Sequence, residues 1–175
     1  MTTLPRLPVR APDAHKNACG CVLIVGGSRN MTGAPCLAAR GAYRGGAGLV
    51  RVAVPAAVRE TVGAKVLDEC LVDALKSGSS GCFSLGAFPA LARLCDWADV
   101  LVMGPGMSQD GETVKLVRRV VRELDVPLVL DADGLNAFAG EGLKLLTAAQ
   151  SKLAERALVL TPHAGEMARL LGGAP

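Results

Sequence analysis

The sequence predicts an α/β protein in three layers, with a mainly parallel sheet covered by helices on both faces. Short apolar runs alternate with longer amphipathic stretches, which is the pattern of repeated strand–helix units. Glycine and alanine are abundant while aromatic residues make up only 3% of the chain, which favours helices packed closely against the sheet. At 175 residues, the chain is long enough to bury a substantial core as one domain.

Four apolar runs end abruptly in glycine or polar residues, as buried parallel strands commonly do. These stretches are Cys21–Ser28, Asp99–Gly106, Val126–Asn136 and Ala157–Glu166. Two further strands are predicted at Leu49–Val54 and, with a poorer pattern, at Val66–Val72. Because open α/β sheets collect their ligands at the carboxyl ends of strands, we expect the ends of the first four to share one cleft.

Helices are predicted between the strands. Thr32 is expected to cap a helix over Gly33–Gly45, and Gly111–Leu124 has the clearest amphipathic spacing. Other helical stretches are Ala56–Gly63, Phe88–Trp97, pieces of Leu135–Ala154, and Gly165–Leu171. Residues 1–19 are rich in proline and charge, so we expect an extended lead-in followed by a single domain over residues 20–175.

The composition limits the classes of partner and the compartment that we expect for this chain. A net charge of +3 does not indicate a nucleic-acid or anionic-membrane surface, and no apolar run approaches the ~18 residues of a membrane span. The N-terminus lacks the apolar core of a signal peptide, so we expect a cytoplasmic protein. Six cysteines without a Cys-x-x-Cys pair, beside only two histidines, indicate reduced apolar residues rather than a zinc site. A homo-oligomer remains open.

Two glycine turns follow predicted strands, at Gly26-Gly27-Ser28 and at Gly104-Pro105-Gly106. A glycine turn before a helix presents free N–H groups to an anion. Neither turn matches the phosphate-binding P-loop or the dinucleotide-binding fingerprint. A plain strand-to-helix turn is an equal alternative for each.

Polar side chains follow the last two of these strands. Asp131 and Asp133 could bind a metal, orient a ribose or another polar substrate, or act as a general base. A turn role for Asp131 or an N-cap role for Asp133 is as good an explanation. Asn136 is expected to hydrogen-bond this loop. His163 could be functional or structural, and Glu166 is expected near a helix N-terminus, where it favours the helix dipole.

Four ordered blocks of the chain resemble the NAD(P)H-hydrate dehydratase family, which has a ribokinase-like fold. The blocks are Gly20–Pro55, Val102–Gly106, Pro127–Phe138 and Leu160–Gly172. The resemblance implies that Ala34, Gly106 and His163 line the substrate site. It also implies that Asp131 and Asn136 support the same cleft.

The same resemblance implies an activity: repair of damaged nicotinamide cofactors. NADHX or NADPHX, in the S form, would be dehydrated back to NADH or NADPH. ADP or ATP would donate a phosphoryl group, accompanied by Mg²⁺, and the substrate hydroxyl would then leave as phosphate. Because hydroxide is a poor leaving group, prior phosphorylation makes chemical sense. The choice between ADP and ATP stays open.

This chain departs from the family pattern. Ala164 stands where proline is usual, so the loop of His163 is expected to be looser. Met107-Ser108 stands where Leu-Gly is usual. Family members also continue beyond the last block, with a lysine-glycine segment near the nucleotide and a Gly-Thr-Gly-Asp-type motif that holds the expected catalytic aspartate.

No Gly-Thr-Gly-Asp occurs in this sequence. We therefore expect the N-terminal portion of a ribokinase-like domain that lacks its C-terminal part, so the catalytic and nucleotide-binding residues are unassigned. One alternative is a catalytically silent binding module, and a less favoured one is a small-molecule kinase of the same fold. The chain alone is expected to be marginally stable, because one sheet edge would be exposed.

Overall fold

The computed structural model describes residues 9, 11, 13–140, 144–148 and 156–173. Six strands form one sheet, and every neighbouring pair is parallel. The strands are β1 (Cys21–Val25), β2 (Leu49–Pro55), β3 (Leu71–Leu75), β4 (Val100–Met103), β5 (Leu128–Leu130) and β6 (Leu158–Leu160). Their order across the sheet is β3-β2-β1-β4-β5-β6.

Helices connect the strands. They are α1 (Gly33–Arg44), α2 (Arg59–Gly63), α3 (Phe88–Cys95), α4 (Gly111–Glu123), α5 (Asp133–Asn136) and α6 (Ala164–Leu170). Residues 144–148 are also helical, while the rest of 141–155 lies outside the described residues. Within the described part of the chain, no helix has the length and apolarity needed to cross a membrane.

Two apolar cores lie on opposite faces of the sheet. Successive residues of β1 alternate between them, because strand side chains point to opposite faces: Leu23 and Val25 join one core, and Ile24 joins the other. Helices α3 and α4 cover the first core, and α1 and α2 cover the second. The predicted parallel sheet with helices on both faces is therefore confirmed.

The weakest predicted strand is misplaced. The prediction put it at Val66–Val72, whereas β3 begins at Leu71 and pairs with β2 from Arg51 onward. Val66 packs against the core from the turn that ends α2, and its N–H donates to the Val62 carbonyl. Val66 and Cys70 therefore reach the core without belonging to a strand.

Thr32 does not cap α1, contrary to the prediction. Its backbone is already helical, with φ −71° and ψ −18°, and its side chain makes no capping hydrogen bond. The hydroxyl instead accepts a hydrogen bond of 2.8 Å from Lys65 Nζ. A cap needs an extended backbone to turn its oxygen back toward the first helical N–H groups, and Thr32 lacks one.

The predicted lead-in lies partly outside the described residues, which omit 1–8, 10 and 12. Where it is described, Lys16–Cys19 forms a short 3₁₀ helix rather than extended chain. This turn packs against Gly48, where a Cβ atom would stand 1.6 Å from the Lys16 carbonyl oxygen. All six cysteines are free thiols, as predicted.

One edge of the described sheet is β6. The side chain of Val159 in its middle is 50% exposed, and Leu158 and Leu160 on either side are half-buried. The marginal stability expected from an exposed sheet edge stays a prediction.

Candidate functional site

The strand order brings four loops together at one edge of the sheet. Strands β1, β4, β5 and β6 are consecutive neighbours, so the loops that follow their carboxyl ends lie side by side. These are the loops in which the sequence places its candidate site residues. Hydrogen bonds join each loop to the next, as the following contacts show.

The loop after β1 is tied to the loop after β4 by backbone contacts. The Gly27 N–H donates to the Pro105 carbonyl at 2.8 Å, and the Gly26 N–H donates to Ala53 at 3.3 Å. A Cβ atom on Gly26 would lie 2.5 Å from the Pro105 oxygen. The prediction that this glycine turn offers free N–H groups to an anion is therefore wrong at these two residues, because both groups are bonded within the protein.

Gly106 and Ala34 are in direct contact. Gly106 has φ +67°, and a Cβ atom built on it would stand 2.9 Å from the Ala34 Cβ and 2.8 Å from the Met31 Cβ. The loop after β4 therefore reaches α1 at a place where one partner has no side chain and another has only a methyl group.

The loop after β5 packs against the backbone of the loop after β4. A Cβ atom on Gly104 would stand 1.8 Å from the Asp131 carbonyl oxygen, so only glycine fits there. Asp131 Oδ1 accepts a hydrogen bond of 2.7 Å from Thr161 Oγ1, which follows β6. Asp131 therefore joins the loops after β4, β5 and β6.

Asp131 and Asp133 flank a strained turn. The Gly134 N–H donates to the Asp131 carbonyl at 2.9 Å, and Ala132 between them has φ +47° and ψ −118°. These angles fit the first central residue of a type II′ turn, where glycine is usual. A positive φ costs a residue with a side chain about 1–2 kcal/mol. The turn separates the two carboxylates, so they bond in different directions.

Asp133 is not an N-cap, because it is the first residue of α5 and Ala132 occupies the cap position. Its Oδ2 accepts a hydrogen bond of 2.8 Å from the Ser108 N–H. Its carbonyl accepts one of 2.9 Å from Gln109 Nε2. Asp133 thus holds the segment that follows Gly106.

Asn136 bonds this loop, as predicted, and also reaches α6. Its Nδ2 donates to Asp133 Oδ1 at 3.4 Å, and its Oδ1 accepts from Arg169 Nε at 2.8 Å. The loops after β4, β5 and β6 are therefore connected by side chains as well as by backbone.

His163 is the N-cap of α6. Its Nδ1 accepts hydrogen bonds from the backbone N–H groups of Gly165 at 3.0 Å and Glu166 at 3.4 Å. The backbone N–H of His163 in turn donates to Glu166 Oε2 at 3.0 Å. This reciprocal pair is a capping box. Glu166 lies at the start of the helix, as predicted. The imidazole Nε2 also lies 3.3 Å from Glu166 Oε1, so both ring nitrogens face groups of α6, while the ring itself is 67% exposed and can contact a ligand.

A family model described as NAD(P)H-hydrate dehydratase matches residues 22–175, nearly the whole chain. This chain belongs to the NAD(P)H-hydrate dehydratase family. It is 43% identical over 165 residues to a bifunctional NAD(P)H-hydrate repair enzyme of Salinibacter ruber, covering 94% of this chain and 30% of that one. It is 39% identical to an ADP-dependent (S)-NAD(P)H-hydrate dehydratase of Xanthomonas campestris, covering 94% and 53%.

A solved structure agrees with this assignment. The ADP/ATP-dependent NAD(P)H-hydrate dehydratase of Bacillus subtilis, co-crystallised with ATP and Mg²⁺, superposes with a TM-score of 0.68 at 28% identity. The match covers 95% of this chain and 52% of that one. The chain thus spans about half the length of the single-activity relatives and 30% of the bifunctional one.

In this NAD(P)H-hydrate dehydratase family member, the candidate residues occupy the loops and helix segments that follow four neighbouring strands. Ala34 and Gly106 touch, Asp131 lies at the next strand end, and Asn136 and His163 lie on the two helices joined by Arg169. Contact with a substrate stays a prediction for each of the five. The contacts that connect these residues within the protein are observed without any substrate.

Sequence reasoning missed the partners of these residues. Thr161 stands two positions before His163, and its signal was a hydroxyl directly after a strand. Ser108 was noted only as part of a departure from the family pattern, and Gln109 carried no functional signal, although both bond Asp133. Arg169 carried no signal beyond its place in the last helix.

Among the described residues of this family member, no three His, Cys, Asp or Glu side chains are grouped closely enough to hold a metal ion between them. The turn at Gly26 and Gly27 does not fit a nucleotide phosphate, since its N–H groups are already bonded. Two surface cavities of ≈ 640 and ≈ 680 Å³ lie elsewhere, one beside β3 and one beside the end of α1.

Proposed function

We propose that this chain supplies the substrate-binding side of an enzyme that dehydrates the S form of NADHX and NADPHX to NADH and NADPH. The observation that carries the proposal is the joined edge of four loops, where the residues named by the family resemblance come together. Membership of the NAD(P)H-hydrate dehydratase family supports the substrate class. We place the reaction in the cytoplasm, which the six free thiols support.

Each residue has a part in the proposal. The half-buried Ala34 and the buried Gly106 are assigned to one side of the substrate site, where neither residue brings a large side chain. The imidazole of His163 presents its exposed outer face to the hydrate. Asp131 and Asn136 hold these loops in place through Thr161 and Arg169 rather than by contact with the reacting atoms.

The nucleotide has no assigned residues here. When bound, ADP or ATP with Mg²⁺ would supply the phosphoryl group that converts the hydrate's hydroxyl into a leaving group. The relatives' names support this dependence, since one is ADP-dependent and another was co-crystallised with ATP and Mg²⁺. We assign none of the described residues to either.

Turnover by the purified chain tests the proposal. The 175-residue chain would be incubated with (S)-NADHX, ADP and Mg²⁺, and the return of NADH absorbance would be followed. A rate above that of the buffer supports the dehydratase. A chain that neither turns over nor binds (S)-NADHX contradicts the proposal.

Binding without turnover is the second candidate. The observation that favours it is the absence of any Gly-Thr-Gly-Asp in the sequence, since the resemblance assigns the catalytic aspartate to that motif. Calorimetric titration with (S)-NADHX separates the two candidates. Heat of binding with no NADH formed selects the binding module, and heat with NADH formed selects the enzyme.

A further inference from the structure

Arg169 connects α6 to α5 and to the turn that follows α5. Its Nε donates a hydrogen bond of 2.8 Å to Asn136 Oδ1, and its carbonyl accepts one of 3.0 Å from the Gly140 N–H. Side chain and main chain of one residue therefore fix α6 against α5 and the turn that follows it. The two bonded residues are 33 positions apart, so this contact sets tertiary geometry.

A chain of hydrogen bonds leads from Arg169 to the loop of Gly106. Asn136 Nδ2 donates to Asp133 Oδ1 at 3.4 Å, and Asp133 Oδ2 accepts from the Ser108 N–H at 2.8 Å. Ser108 stands two residues after Gly106. The guanidinium is thereby linked to one wall of the candidate site through two side chains.

The same guanidinium lies beside the turn of His163. A Cβ atom on Gly165 would stand 3.6 Å from Arg169 Nη1 and 3.1 Å from His163 Cε1. Nη1 and the imidazole thus flank the same glycine, in the first turn of α6. Lysine has one terminal nitrogen on a flexible stem, so it cannot reach Asn136 and Gly165 together as the planar guanidinium does.

We propose that Arg169 is a positioning residue, which fixes the loop of Gly106 relative to the turn of His163 and so sets the width of the substrate site. The effect of Arg169 on substrate binding rests on the proposed function, whereas its hydrogen bonds to Asn136 and Gly140 do not.

Amide exchange in the ligand-free chain tests the positioning directly. In Arg169→Met the stem stays and the donors are lost, so Asp133 loses its support and the Ser108 amide is expected to exchange at least about threefold faster. The amide of the buried Leu101, which donates to the Pro127 carbonyl at 2.8 Å within the sheet, should keep its rate and serves as the internal control for global opening.

Arg122→Met is the matched variant, because Arg122 is an exposed arginine whose partner is the adjacent Glu123. It should change neither amide. Equal Ser108 exchange in wild type and Arg169→Met would overturn the inference. Equal acceleration of Ser108 and Leu101 would also overturn it, since the effect would then be loss of overall stability.

Affinity for (S)-NADPHX gives the second readout. Arg169→Met and Arg169→Lys should each weaken binding about tenfold, as coupled contacts do when one partner is lost, while Arg122→Met should not. Weaker binding with unchanged Ser108 exchange would mean that Arg169 touches the ligand, which contradicts a positioning role. If the wild-type chain fails to bind, the proposed function fails, and Ser108 exchange still decides the role of Arg169.

Discussion

Glycines at the candidate site are explained by contacts within the protein. Gly26 and Gly104 each face a carbonyl oxygen where a side chain would begin, and Gly106 faces the side chains of Met31 and Ala34. From sequence alone, small residues in such loops suggest close approach of a ligand. Here the first requirement that they meet is the close approach of neighbouring loops.

Gly106→Ala should lower the free energy of unfolding by about 2 kcal/mol or more, since φ +67° alone costs a side chain about 1–2 kcal/mol. The new methyl would also displace Ala34 and Met31. Gly111→Ala is the control, because nothing lies within 4 Å of a Cβ atom there and its φ is not positive. Urea denaturation measures both. Equal stability of the two variants would contradict the account of Gly106.

His163 can be divided into a capping role and a binding role. His163→Ala should cost about 1 kcal/mol of stability through the lost cap, whereas His163→Asn should keep stability because asparagine is a strong N-cap. Both variants should bind (S)-NADHX more weakly than wild type. Thermal unfolding and calorimetric titration separate the roles. Wild-type affinity in His163→Asn would remove the imidazole from the proposed substrate site.

At the scale of elements, an apolar run bounded by turn residues predicts a strand well, and a run that merges with its neighbours predicts one poorly. Strands β1, β4 and β5 are flanked on both sides, so their apolar runs are continuous and easily recognised. Strand β3 is paired on one side, with Leu71 and Ala74 exposed, and its pattern competes with the apolar turn before it. The pattern of β3 was therefore too weak to place, whereas β6, at the other edge of the described sheet, was predicted within Ala157–Glu166.

The convergence of the four loops was predictable from the sequence, but the hydrogen bonds between them were not. Polar residues and glycines after β1, β4, β5 and β6 indicated one shared edge. Their partners depend on which strands are neighbours, and the order β1-β4-β5-β6 does not follow from chain order. The hydrogen bonds of Asp133 to Ser108 and of Asn136 to Arg169 could therefore be identified only from the structure.

Helix α4 offers a test of a predicted element. Asp110 Oδ1 accepts a hydrogen bond of 3.0 Å from the Glu112 N–H and caps the helix. Asp110→Ala should lower the free energy of unfolding by about 1 kcal/mol, and Asp110→Asn should restore most of it. Chemical denaturation measures both. Equal loss in both variants would show that the cap hydrogen bond does not stabilise α4.

At the scale of the whole molecule, buried thiols link the two cores to pH. Burial raises the pKa of Cys95 to about 12, with Asp96 adding to the shift, and burial raises that of Cys70 to about 11, with the nearby Cys36 and Asp73 adding. These thiols stay protonated in the folded state at a pH where they ionise in the unfolded chain.

Stability should therefore fall in alkali. Above about pH 8.5 the unfolded chain binds fewer protons than the folded one, so each thiol lowers the free energy of unfolding by up to roughly 1.4 kcal/mol per pH unit. The loss should run until the folded-state pKa values are reached. Urea denaturation between about pH 8 and about pH 10.5 measures the slope. The double variant Cys70→Ala, Cys95→Ala should flatten it, and an unchanged slope would refute the assignment.

The bonded loops have a thermodynamic consequence for recognition. Hydrogen bonds hold these loops in place before any ligand binds, through Gly27 to Pro105 and through Thr161 to Asp131. A molecule that docks here meets a preassembled surface, so little conformational entropy remains to be lost on association. Affinity would then depend chiefly on shape and desolvation, and the backbone should move by less than about 1 Å when the ligand binds.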